Sequence, residues 1–171
     1  MLKTAGILLV ILGASGAGFT MALSVRRQAA LLRQLLSALE QMKGEIAYQR
    51  TPLPELMRLL SVGSSGAAAA FFGRVAGDLH LRQEGSVYAI FKKELAAVPA
   101  AAFPAQVRLV LLNLGKGLGK YDLESQLCSI DLASQRLQSL LDALQADQRA
   151  RMRSYCTLGV CAGLAIAILA L

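Results

Sequence analysis

All 11 acidic residues of this 171-residue chain lie between two stretches that carry no charge, Thr4–Val25 and Ser154–Leu171. Few sequence features restrict a fold more, because a long apolar segment must be covered by other protein or by lipid. The first stretch has 22 residues, and at about 1.5 Å per residue it reaches roughly 33 Å, enough to cross a hydrocarbon layer of about 30 Å. The second is shorter. Cys156 to Leu171 supplies 16 apolar or small residues, roughly 24 Å of helix, which spans only with local thinning or help from a neighbour. The sequence therefore divides into a transmembrane helix over 1–25, a helical domain over 26–153 and a second transmembrane helix over 154–171. A cleaved signal peptide is the rival for the first segment, with Lys3 as its basic region and Ala14-Ser-Gly-Ala17 as its cleavage site. Against it, apolar character continues through Phe19, Met21, Leu23 and Val25 and stops abruptly at Arg26-Arg27.

Arginines mark both inner edges: Arg26, Arg27 and Arg33 after the first stretch, and Arg149, Arg151 and Arg153 before the second. Positive residues stay on the cytoplasmic side, so the middle domain is expected in the cytoplasm with both termini outward. That domain is still basic, with 17 Lys and Arg against 11 acids. The six edge arginines account for the charge as contacts to anionic lipid headgroups. Nucleic acid is not expected, since the basic residues are scattered and aromatics make up only 5% with no Trp. Small residues recur every four positions in both spans, Ala14, Gly18 and Ala22 in one and Gly159, Gly163 and Ala167 in the other. Such faces allow close helix packing, within the chain or in a homo-oligomer.

Leu32, Leu35, Leu39, Met42 and Ile46 repeat at intervals of three and four, which predicts a long helix continuing from the first span. Thr51-Pro-Leu-Pro54 ends it and starts a helix carrying Leu56, Leu59 and Leu60. Gly63-Ser-Ser-Gly66 reads as a loop, Phe71, Phe72, Val75, Ala76 and Leu79 as a short helix, and Val87, Ile90, Phe91 and Leu95 as another that Pro99 terminates. Val107 to Leu114 is a buried helix that Gly115, Gly117 and Gly119 are expected to end. The last helix starts at Asp122, a good N-cap. Its stripe of Leu123, Leu127, Ile130, Leu137, Leu141 and Leu144, with Ser134 filling one position, runs without Gly or Pro toward the second span. The expected fold is all-α: a membrane-anchored bundle built on two long antiparallel helices, with the Thr51 turn and the glycine turn together at the end farthest from the membrane.

This arrangement resembles the stage III sporulation protein AB family of endospore-forming bacteria. The resemblance rests on Gly6 in an apolar N-terminal helix, Glu45-Ile-Ala-Tyr48 before Thr51-Pro-Leu-Pro54, and Leu114-Gly-x-x-Leu-Gly-x-x-Asp122-x-x-x-Gln126. It also rests on the closing Arg153-Ser-Tyr155, Leu158-Gly159 and Gly163. The family is similar in its helical domain to the inner-membrane platform proteins of type II secretion and type IV pilus machines. The resemblance implies a non-enzymatic component of a channel between mother cell and forespore, in the membrane on the mother-cell side. It implies other channel subunits as partners, including a secretion-type ATPase. Glu45, Tyr48, Arg50, Lys116, Lys120 and Asp122, gathered at the membrane-distal end, are the candidate docking residues. A two-span coiled-coil adaptor or signalling anchor for another cytoplasmic partner is the alternative.

Enzymatic chemistry finds little footing. Gly115-Lys-Gly-Leu-Gly-Lys120 lacks the first glycine of a phosphate loop, where Leu114 stands, and Tyr121 replaces its Ser or Thr. His80 is the sole histidine, Cys128, Cys156 and Cys161 form no CxxC, and Asp122, Glu124 and Asp131 have no evident nucleophile or base beside them. Neither a cofactor nor a metal is expected, and Cys128 is read as a reduced cytoplasmic thiol.

Overall fold

The computed structural model describes residues 24–49, 51–81, 85–119 and 122–170, with side chains of the last helix described as far as residue 148. Among these residues all regular structure is helical. The first helix, α1, covers 24–44 and passes into a π-helical turn at Glu45–Gln49. It is followed by α2 (Leu53–Gly63), α3 (Gly66–Leu81), α4 (Val87–Ala97), α5 (Ala105–Leu118) and α6 (Leu123–Ala170). Successive helices reverse direction, so the bundle has a tip and a base. The π turn and the starts of α2, α4 and α6 lie at the tip. The α2–α3 and α4–α5 connections lie at the base beside the start of α1.

The two long helices run antiparallel. Lys43 near the end of α1 pairs with Asp131 near the start of α6 at 2.6 Å, whereas Gln28, Leu31 and Leu32 share a small cavity with Leu140 and Leu144. The seam between them contains the expected α1 stripe, with Leu32, Leu35, Leu39, Met42 and Ile46 all buried. On α6 the buried positions are Ile130, Ala133, Leu137 and Leu141. Leu123, the first residue of α6 after the Asp122 cap, departs from the expected stripe and is exposed. Ala133 takes the place given to Ser134, which is only half-buried.

The shorter helices carry the aromatic core. Phe71 has the rings of Phe72 and Phe91 at 5.4 Å and that of Phe103 at 5.8 Å, the latter two edge-on, an arrangement that adds ~0.5–1.5 kcal/mol per pair beyond burial. Two ion pairs clasp α3 to α4: Arg74 with the buried Glu94, and Lys93 with Asp78 at 2.9 Å. Arg108 secures the α4–α5 connection, donating to the carbonyls of Leu95 (2.7 Å), Val98 (2.6 Å) and Phe103 (2.9 Å). A helix end leaves its last carbonyls without intrahelical partners, and one guanidinium serves here both Leu95 in the last turn of α4 and two carbonyls of the connection that follows.

The glycine run behaves differently from expectation. α5 does not end at Gly115 but continues through Gly117 to Leu118. A Cβ built on Gly115 would lie 2.9 Å from Phe91 Cγ, and one on Gly117 only 2.1 Å from Ser129 Oγ and 2.3 Å from Ser129 Cβ. These two glycines let α4 and α6 approach α5, and Gly119 alone ends the helix. At the α2–α3 loop, Gly66 has φ +57°, a conformation that side chains disfavour.

Among the residues whose side chains are described, no helix is long and apolar enough to cross a membrane. The proposed first span, with Ala14, Gly18 and Ala22, lies outside the described residues. Gly159, Gly163 and Ala167 fall on α6 beyond its described side chains.

Candidate docking surface at the tip of the bundle

The tip is organised by the π turn. Thr51 Oγ1 donates to Glu45 Oε2 at 2.6 Å and Gln49 Nε2 donates to Glu45 Oε1 at 3.2 Å, so one half-buried carboxylate gathers the turn ahead of Pro52. The wider turn changes the phase of the helix. Ile46 stays in the core while Tyr48, two residues on, is 88% exposed. The π turn packs beside α6, whose first turn is capped by Asp122. Its Oδ2 accepts from the Ser125 amide at 3.0 Å, and its carbonyl accepts from the Gln126 amide at 3.1 Å.

Lys116 closes the other side. Its ammonium lies 5.1 Å from the ring centre of Tyr88 on α4, a cation–π contact. Gly119 lies nearby, where an added Cβ would stand 3.8 Å from Val87 Cβ. At the start of α2, Arg58 makes two hydrogen bonds to Glu55 Oε1 and one to Oε2. That hydrogen bonding, with the charge of Arg58 and a smaller contribution from His80, holds the Glu55 carboxyl below its ordinary pKa and raises that of Arg58.

Of the candidate docking residues, the fold brings Glu45, Tyr48, Lys116 and Asp122 to one end of the molecule. Arg50 and Lys120 lie outside the described residues. Asp122 forms the helix cap expected of it. Glu45 accepts from the side chains of Thr51 and Gln49 and Lys116 lies against Tyr88, while Tyr48, Lys116 and Asp122 are all exposed. Two further exposed apolar residues, Leu81 at the end of α3 and Leu123 at the start of α6, belong to the same end. Sequence periodicity assigned Leu123 to the core, and Leu81 sits just beyond the apolar run of α3. Only an exposed residue at a helix terminus could have signalled either. His80 and Cys128 are exposed, and among the described residues no group of three His, Cys, Asp or Glu is placed to hold a metal ion.

Comparison with known proteins agrees with this architecture. A solved structure described as stage III sporulation protein AB (SpoIIIAB) superposes with a TM-score of 0.63 at 22% identity, covering 72% of this chain and 98% of that one. At that identity the likeness concerns the fold. The comparison with curated proteins returned no match. The family model for stage III sporulation protein AB matches residues 3–171. With nearly the whole sequence matched, the chain belongs to the stage III sporulation protein AB family.

Proposed function

We propose that this protein is a non-enzymatic platform component of a secretion-like sporulation channel between mother cell and forespore. In this reading it is held in the membrane through its two apolar ends and docks a cytoplasmic secretion-type ATPase at its tip. The carrying observation is directional. α1 and α6 run antiparallel, so the segments leading to both apolar ends leave from the base, while the π turn presents Tyr48 at the opposite pole. A chain anchored at its base meets a cytoplasmic partner at its tip. Tyr is well suited to such contacts, because it offers a large rigid apolar face with a polar rim and little entropy to lose.

The test is capture of the channel's ATPase by the full-length chain, comparing wild type with Tyr48→Ala and with the double charge reversal Lys116→Glu/Lys120→Glu, helicity being checked in parallel. Loss of capture by folded Tyr48→Ala supports tip docking. Undiminished capture by both folded variants contradicts it and moves the contact to another face.

A further inference from the structure

At the base, α1 and the α2–α3 and α4–α5 connections line an open cleft of about 870 Å³, within the size range of small-molecule sites. Its chemistry is one-sided. Among the described residues that line it, Arg27 contributes the single charge and none is Asp or Glu; the remaining polar groups include Gln28, Gln34 and Ser65, and Pro99 and Ala102 form the far wall. Arg27 is exposed and makes no salt bridge among the described residues. Gln34 Nε2 donates to Ser65 Oγ at 2.7 Å, which leaves the hydroxyl proton of Ser65 free to be donated in turn. The tip, by contrast, carries both signs, with Glu45, Glu55, Asp122 and Glu124 alongside Arg58 and Lys116.

We infer that this cleft binds the headgroup of an anionic phospholipid. The inference rests on the membrane reading above, since the cleft begins at Ser24, next to the last residue of the uncharged stretch Thr4–Val25. A headgroup at that level meets a guanidinium that pairs with phosphate oxygens through parallel N–H donors. The neutral amides and hydroxyl complete the shell without repelling it. A bound headgroup bridges α1 to both base connections and fixes the bundle against the bilayer surface. This is narrower than a general attraction of arginines to negative lipid, because it requires a cavity as well as charge.

The test uses the detergent-solubilised full-length chain and follows its thermal unfolding with phosphatidylglycerol, phosphatidylcholine or soluble glycerol phosphate added. A ligand that binds only the folded state raises Tm. The expected result is a rise with phosphatidylglycerol alone. The rise should disappear in Arg27→Gln, and in Ala30→Trp, which fills the cleft while keeping its charge, but survive in Arg26→Gln, whose side chain does not line it. Equal losses in Arg26→Gln and Arg27→Gln, or a response that persists in folded Ala30→Trp, overturn the cleft and leave diffuse surface attraction. A rise with glycerol phosphate overturns the lipid assignment in favour of a soluble phosphate ligand, and a rise with phosphatidylcholine overturns the anionic selectivity. Membrane fractionation of the same variants keeps the two readings apart. Alkali-resistant membrane association without a selective Tm response sinks the lipid site alone, whereas loss of association in the wild type sinks the membrane reading on which it rests.

Discussion

Lys43 and Asp131 stand 88 positions apart in the sequence, and their charged atoms lie 2.6 Å apart across the two long helices. Each is about half exposed, so the pair reports register more than it provides stability. A double-mutant cycle with Lys43→Ala and Asp131→Ala should give a coupling of only ~0.2–1 kcal/mol, shrinking as salt is added. The charge swap Lys43→Glu/Asp131→Lys should recover what each single reversal loses. Failure of the swap to recover it means that these residues do not face one another.

The interior of the seam behaves differently from its rim. Leu137 is fully buried, and Leu137→Ala should destabilise the protein by ~2–5 kcal/mol in chemical denaturation. Leu123→Ala, at a residue 42% exposed, should change stability by no more than about 0.5 kcal/mol. Comparable losses at the two sites would return Leu123 to the core.

Gly117 makes a sharper case, because two readings of it predict opposite signs. If it merely ended a helix, alanine would be tolerated or even stabilising, since alanine is the better helix former by about 1 kcal/mol. With Ser129 occupying the space of the missing methyl, Gly117→Ala should instead cost ~1–3 kcal/mol as overpacking. Adding Ser129→Gly, which removes the obstructing side chain, should return much of that loss.

The contrast between Leu32 and Gly117 shows what was legible in the sequence. The α1 stripe, the proline breaks, the Asp122 cap and the order of the helices follow from local periodicity and turn chemistry, which residues three or four apart encode by themselves. The glycine run is ambiguous locally, because the same residue serves to stop a helix or to let two helices touch, and only the partner Ser129 decides. The tip was legible as a location, since helix lengths fix where turns fall. Its chemistry was not. The π turn at Glu45 depends on a hydrogen bond from Thr51 six residues on, and the placement of Lys116 depends on Tyr88 in another helix.

Arg108 was also invisible to pattern, being one cation in an apolar helix. Its three carbonyl contacts predict that Arg108→Ala costs on the order of 2–3 kcal/mol, as expected when charge-assisted hydrogen bonds to partly buried acceptors are lost. Lysine should not substitute, because a single ammonium cannot reproduce the planar fork. A full rescue by Arg108→Lys in denaturation experiments would reduce the role of this residue to simple charge.

The claim that the tip of this bundle docks a secretion-type ATPase is tested most directly by photo-crosslinking in sporulating cells. A photoreactive amino acid placed at Tyr48 should yield an adduct with the channel's ATPase, identified by mass spectrometry, while the same probe at Ser65, at the base, should not. An ATPase adduct formed at Ser65 but not at Tyr48, with the protein expressed and folded in both cases, would contradict the account.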